Sequence, residues 1–260
     1  MTAFQRDIVF SRTAGLIGTE GLEKLKQAHA AVFGLGGVGS YACEALARSG
    51  VGRLTLIDSD AVSLSNLNRQ LIADLTTVGM PKTEAAARRI RSINPDCRVT
   101  EHRLLFLPDT ADAIDFRDFD YVIDAIDNVT GKLCIIEKAR MAGVPVISAM
   151  GTGNKLHPEL LRISDLYETS VCPLARVMRS ECRKRGIEAL KVVWSPEAPK
   201  AAAVMPEDAA GTAAGSGAGA EPGPAVPLSK KPVPASIAFV PSVAGLMMAG
   251  EVIRTIAGVE

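Results

Sequence analysis

Near the start of the chain the apolar run AAVFG ends in Gly34-Leu35-Gly36-Gly37-Val38-Gly39, and a helical pattern follows at once. This is G-x-G-x-x-G, with an extra glycine at 37, in the strand–turn–helix setting that gives the motif its meaning. Glycines allow the tight turn, and backbone N–H groups at the start of the helix can then meet a phosphate. The alternative is a turn kept only for packing. Either way, a strand feeding a helix through such a turn opens a β-α-β unit and commits the chain to an α/β architecture.

The following residues sustain that reading. Strands are expected at Ala30–Gly34, Arg53–Asp58, Arg98–Arg103, Tyr121–Ala125 and Val144–Ala149, with helices at Val38–Ser49, Lys82–Ile93, Thr110–Phe116 and Thr130–Ala142. Alternation of this kind implies right-handed crossovers and a Rossmann-like, doubly wound, mostly parallel sheet. Pro81 and Asn94-Pro95 bracket the helix that begins at Lys82. Beyond Gly151 the rhythm changes: strands at Leu160–Ile163 and Leu190–Trp194 flank an arginine-rich helix at Pro173–Lys184, giving a C-terminal antiparallel extension. Residues 196–235 are dense in Ala, Pro and Gly and read as a flexible low-complexity loop. A last apolar helix, about Val243–Ala257, returns to the core. The expectation is a single domain over residues 1–260 interrupted by that loop.

Lys+Arg and Asp+Glu both number 29, so nucleic-acid binding would need a local patch. The cysteines (Cys43, Cys97, Cys134, Cys172, Cys182) are odd in number and never spaced C-x-x-C, which suits reduced thiols in the cytoplasm and offers no zinc framework. No secretory signal is read at the N-terminus. The apolar stretch Ile237–Ala249 contains Pro241 and reads as a buried helix rather than a membrane span.

What distinguishes one nucleotide chemistry from another follows the second strand. Asp58 stands at its end, where a carboxylate can accept from ribose hydroxyls; Ser65-Asn66-Leu67-Asn68-Arg69-Gln70 comes next, and Lys82 opens the following helix. A hydride-transfer site gains nothing from cations around a phosphate chain. Attack of a carboxylate on an α-phosphate does, because fixed Arg, Lys and amide donors stabilise the growing phosphoryl charge. Asp127, after YVIDA, is placed to bind a magnesium ion on the triphosphate. Taken singly, Arg69 or Lys82 would read as a solvated surface charge.

RTAGLIG, GLGGVGS, LIDSDAVSLSNLNRQ, VGMPK and DAIDN together resemble the ThiF/MoeB and ubiquitin-activating superfamily of adenylating enzymes, from Arg12 to about Met150. The resemblance implies ATP as the nucleotide, with Gly34, Gly36, Gly37, Gly39, Asp58, Asp60, Asn66 and Gln70 binding it. It further implies Arg69 and Lys82 at the phosphates, Asp127 on Mg2+, and Arg12 reaching into the neighbouring subunit of a homodimer. Arg12 as a plain surface residue is the alternative. Members that feed sulfur carriers usually carry paired C-x-x-C motifs and a reactive loop cysteine, and here no cysteine follows Cys182. Thioester or persulfide chemistry on that loop therefore lacks its thiolate.

GTGNKLHPELLRISDLYETSVCPLARVMRSECRKRGI, LKVVWSPE and SIAFVPSVAGLMMAGEVI are similar to the tRNA threonylcarbamoyladenosine dehydratase branch. That implies activation of the threonylcarbamoyl carboxylate at tRNA position 37, closed by the modification's own carbamoyl oxygen, which needs no enzyme nucleophile. Arg176, Arg179 and Arg183 share a helix face and could read tRNA phosphate; the alternative is a solvated face balanced by Glu181 and Glu188. Cys172 could be a nucleophile before a helix or a packing residue, and His29 and His157 show no partner by spacing. The rivals are an adenylyltransferase acting on the Gly-Gly terminus of a sulfur-carrier or ubiquitin-like protein, a nucleotide-binding scaffold with a sulfur-transfer partner, and an NAD-dependent oxidoreductase.

Overall fold

The computed structural model describes residues 3–201 and 234–259. Most of the low-complexity loop expected at 196–235 lies outside the described residues.

The first element was not anticipated. Helix α1, Ala3–Gln27, breaks its geometry at Gly18 (φ 77°, ψ 164°) and carries glycines at 15, 18 and 21 that obscure a helical pattern. It forms because Phe10, Leu22 and Leu25 find a core to enter. Strand β1 (His29–Phe33) follows, then α2 (Gly39–Arg48), β2 (Arg53–Ile57), α3 (Lys82–Ile93), β3 (Arg98–His102), β4 (Tyr121–Asp124), α4 (Val129–Ala142), β5 (Val146–Ala149), β6 (Arg162–Asp165), α5 (Pro173–Lys184), β7 (Lys191–Trp194) and α6 (Phe239–Ala257). Every expected strand is present within a residue or two. The helix expected at Thr110–Phe116 is instead two 3-10 turns, Pro108–Ala113 and Phe116–Asp118. Asp115 caps the second turn, and its side chain accepts from the Arg117 amide. α6 starts four residues earlier than expected, because Pro241 falls in its first turn, where no intrahelical N–H is missed.

The seven strands form one sheet in the order β3-β2-β1-β4-β5-β7-β6. All pairs are parallel except β6–β7, the antiparallel extension. Chain order reverses between β1 and β4, so their carboxyl ends border the crevice where such sheets bind ligands. Of the described helices, α6 alone is long and apolar enough to cross a membrane, and here it packs on α1 and α2.

A buried carboxylate joins α2 to α3. Glu44 on α2 is 8% exposed and accepts from Arg89 Nε (2.9 Å) and Nη2 (2.8 Å) on α3, and from Arg48 Nε (2.8 Å). Burial pushes this carboxyl up, but the hydrogen bonds and charges of Arg89 and Arg48 outweigh it and hold the group below its ordinary range. A carboxyl lowered in the folded state stabilises the protein above its unfolded value, and that contribution disappears as pH falls through the folded value. Glu44→Gln is therefore expected to cost on the order of 1–2 kcal/mol at pH 7, the arginines being half exposed, with the gap closing below about pH 4. Thermal melts of both proteins against pH check this; a gap that stays constant contradicts it.

Candidate active site

The glycine turn leaves β1 with Gly34 at φ 85°, a left-handed conformation, and a methyl there would meet the Ala125 carbonyl at 2.8 Å. Gly39 is as restricted: its missing Cβ would lie 1.8 Å from the Gly34 oxygen. The loops after β1 and β4 therefore meet backbone to backbone at Gly34. No side chain caps the first turn of α2; the Ser40 N–H turns back to the Gly36 carbonyl at 3.1 Å, and the helix start is otherwise open to an anion.

Asp58 stands just beyond β2. Its Oδ2 accepts the Leu35 N–H at 2.6 Å and its Oδ1 the Asp60 N–H at 2.8 Å. The carboxylate expected to meet ribose is thus also the tie that sets the glycine turn against β2, with one lone pair on each oxygen to spare. Lys82, 6% exposed, opens α3 and donates from Nζ to Asp60 Oδ2 at 2.7 Å, while its amide donates to the Asp60 carbonyl at 2.9 Å. Burial raises the Asp60 carboxyl, but the Lys82 hydrogen bond and charge prevail and hold it below its usual range. Asp60, expected at the nucleotide, therefore also holds the lysine.

Between them runs the asparagine–arginine loop. A short 3-10 turn, Leu64–Asn66, is closed by buried Asn66, whose Oδ1 accepts the Ser63 N–H at 3.1 Å. Arg69 Nη1 donates to the Ser65 carbonyl (2.8 Å) and to Asn68 Oδ1 (2.9 Å). Leu71 N–H reaches Ser40 Oγ at 3.2 Å, joining the loop to α2. Gln70 is 6% exposed, with its Nε2 close to Gly36. Its Oε1 is the single buried side-chain polar atom without a hydrogen-bond partner among the described residues. A buried amide end left unpaired costs about 1–3 kcal/mol, and it points to a polar ligand at the glycine turn.

Asp127 is exposed in the turn after β4, and Asn128 caps α4 by accepting the Gly131 N–H at 2.9 Å. Beneath that turn lies a cluster the sequence reading missed. Asp124, Lys132 and Ser148 are each 0% exposed. Lys132 Nζ donates to Asp124 Oδ2 (3.1 Å) and Ser148 Oγ (3.2 Å), Ser148 Oγ donates to Asp124 Oδ2 (2.6 Å), and the Ile126 N–H approaches Asp124 Oδ1 (3.4 Å). The available signal was Asp124 itself, a carboxylate in a strand buried on both faces, which demands a partner.

Other expected residues lie apart from these. Arg12 is exposed on α1 and has no hydrogen bond or ion pair to the crevice among the described residues. The α5 face is only partly free: Arg179 Nη1 donates to the Thr169 carbonyl (2.9 Å), Arg183 stacks over Tyr167 at 5.1 Å, and Lys184 and Arg185 pair with Glu181 (2.6 and 2.7 Å). Arg176 remains exposed. Cys172 is buried at the head of α5, its side chain packed among apolar neighbours. Both histidines in question have partners: His157 Nδ1 with Glu159 (2.7 Å), and His29 with the Asp118 carbonyl and Thr55 Oγ1 (2.8 Å each). All five cysteines are free and buried.

This geometry can be set against known proteins. Residues 10–260 match the family described as "ThiF family". The chain is 43% identical over 245 residues to the tRNA threonylcarbamoyladenosine dehydratase of Bacillus subtilis (strain 168), covering 94% of this chain and 92% of that one. Solved structures of the E. coli tRNA N6-threonylcarbamoyladenosine dehydratase, in complex with ATP and in complex with AMP, superpose with a TM-score of 0.80. They are 32% identical over 97% of this chain and 95% of theirs.

Proposed function

Since this chain belongs to the ThiF family, we propose that it uses ATP to adenylate the carboxylate of threonylcarbamoyladenosine at position 37 of tRNA and then closes the ring with loss of water. The observation that carries this is a likeness to the Bacillus dehydratase over 94% of the chain, which takes in both the nucleotide crevice and the α5–β7 half. The residues fit ATP: an uncapped helix start at the glycine turn, the unpaired Gln70 amide beside it, and Lys82 and Arg69 on neighbouring segments.

In the first step the substrate carboxylate attacks the α-phosphorus and pyrophosphate leaves. Arg69 and Lys82 supply fixed positive charge where phosphoryl negative charge grows. In the second, the carbamoyl oxygen of the same modification attacks the adenylated carbonyl, AMP departs carrying one former carboxylate oxygen, and a ureido N–H proton is released to water. Attacker and electrophile are already joined, so much of the entropic barrier is absent. The five cysteines play no part in either step.

Asp127 would hold Mg2+ together with the triphosphate, where the ion neutralises leaving-group charge. No three His, Cys, Asp or Glu side chains gather as a metal cage among the described residues, which suits an ion bound through one carboxylate and substrate phosphates. Homodimerisation is part of the proposal: α1 exposes Ile8, Val9 and Leu16 beside Arg12, an apolar strip a second copy would cover while receiving the guanidinium. We place tRNA contact at Arg176 and the Arg183–Tyr167 stack, and Arg179 serves mainly to hold the head of α5. The cytoplasm, where tRNA is modified, is the proposed site of action.

Incubating the protein with Mg·ATP and threonylcarbamoyl-modified tRNA is expected to release AMP and pyrophosphate and to lower the nucleoside mass by one water. With the carboxylate 18O-labelled, one label should appear in AMP. Unchanged nucleoside mass alongside ATP–pyrophosphate exchange that needs a Gly-Gly-ended protein would replace this reading with the sulfur-carrier or ubiquitin-like adenylyltransferase.

A further inference from the structure

We infer that Asn68 is a positioning residue whose carboxamide fixes the Arg69 guanidinium in register with residues 234–236, and that Asn154 anchors those residues for it. The inference rests on the adenylation reading above.

Asn68 Oδ1 accepts from Arg69 Nη1 at 2.9 Å, and its Nδ2 donates to the Ser236 carbonyl at 3.0 Å. Each end of the amide meets the complementary group, so its orientation is settled. The Ser65 carbonyl takes the second Nη1 hydrogen at 2.8 Å. With both hydrogens of Nη1 occupied, the three donors on Nε and Nη2 remain, and a planar fork held on one side offers those three to a phosphoryl group. Asn68 side chain and Ser65 carbonyl thus decide how Arg69 is presented.

The segment that Asn68 grips is itself pinned. Asn154 has left-handed backbone (φ 60°). Its N–H donates to the Ala235 carbonyl at 2.7 Å, and its Oδ1 accepts the Ala235 N–H at 2.7 Å. Its carbonyl accepts the Lys200 N–H at 2.8 Å, so one residue ties both borders of the low-complexity stretch to the end of the β5 loop. From Ser236 the chain enters α6, whose Pro241 packs on Gly37 of the phosphate turn. One short run of backbone therefore links Asn154, the arginine loop and the glycine turn. An exposed asparagine in a run of polar residues would ordinarily be solvated; here it joins two segments 168 positions apart.

The test is a thermodynamic cycle on Mg·ATP affinity, measured by calorimetry without tRNA. Asn68→Ala is expected to weaken ATP about fivefold when Arg69 is present and to change nothing in an Arg69→Ala background. Asn154→Gly keeps the left-handed backbone and removes only the amide side chain. It should weaken ATP two- to threefold alone and add nothing to Asn68→Ala. On tRNA, Asn68→Ala should lower kcat more than it raises KM for ATP. A role in folding alone would lower the melting temperature and give losses that multiply. Persistence of the Asn68→Ala effect without Arg69, or multiplying losses with Asn154→Gly, overturns the inference. The choice of substrate is judged separately, by nucleoside mass.

Discussion

Lys82→Met should reduce turnover with modified tRNA about 10²–10³-fold, the loss seen when a single fixed donor is removed from a site of growing oxyanion charge. Methionine keeps the length and apolar stem of a side chain that is 8% exposed, so packing is preserved and only the ammonium is lost. The partner left behind is no burden to the fold: the Asp60 side chain is 62% exposed and water can take the lysine's place. Melting temperature should therefore stay nearly unchanged while kcat falls. Asp60→Asn gives the complementary result. It leaves the ammonium but loosens its 2.7 Å tether, and a smaller fall of about tenfold is expected from a misplaced group. Steady-state AMP release measures both. A Lys82→Met enzyme within threefold of the parent would remove Lys82 from the chemistry and leave it an ion pair at the head of α3.

The difference between Lys82 and Asp60 also shows which parts of this site could be read in advance. The position of Lys82 at the head of α3 was legible because Pro81 marks the start of its helix. Its pairing with Asp60, 22 positions away, was not, because no local pattern encodes which charges meet. Asp58 was likewise placed at the right strand end, while its bond to the Leu35 amide depends on how β1 and β2 pair. The arginines of α5 show the same limit. Helical spacing put 176, 179 and 183 on one face, yet Thr169 and Tyr167, which occupy two of them, lie before the helix and reach it only through the fold. Local signals were enough for β1 to β5 and for α3 and α5, where apolar runs and prolines set the limits. They failed for α1, whose glycines hide a helix that tertiary packing stabilises. Residues 110–116 have helical composition, but the Asp115 cap closes a 3-10 turn there.

Lys132→Ala should be the most damaging single change to stability, about 3–5 kcal/mol, because it strands a carboxylate in the interior. Asp124 would keep the Ser148 hydroxyl at 2.6 Å and a long approach from the Ile126 amide at 3.4 Å, with no counter-charge. Against a total stability of about 5–15 kcal/mol for a typical domain, this is a large share. The charge, rather than the lost methylenes, is the cause, and a second variant separates them. Lys132→Met with Asp124→Asn removes both charges at nearly constant volume and should recover most of the loss. It should not recover activity. Asp124 and Lys132 sit directly under the turn that carries Asp127, and that turn abuts Gly34 with no room for a Cβ between them. A slack turn would displace the carboxylate proposed for Mg2+ and the glycine turn together, which a fixed phosphate geometry does not tolerate. Urea unfolding and AMP release on the two variants decide the matter: a Lys132→Ala cost below about 1.5 kcal/mol, or full activity in the double variant, would reduce the cluster to ordinary core packing.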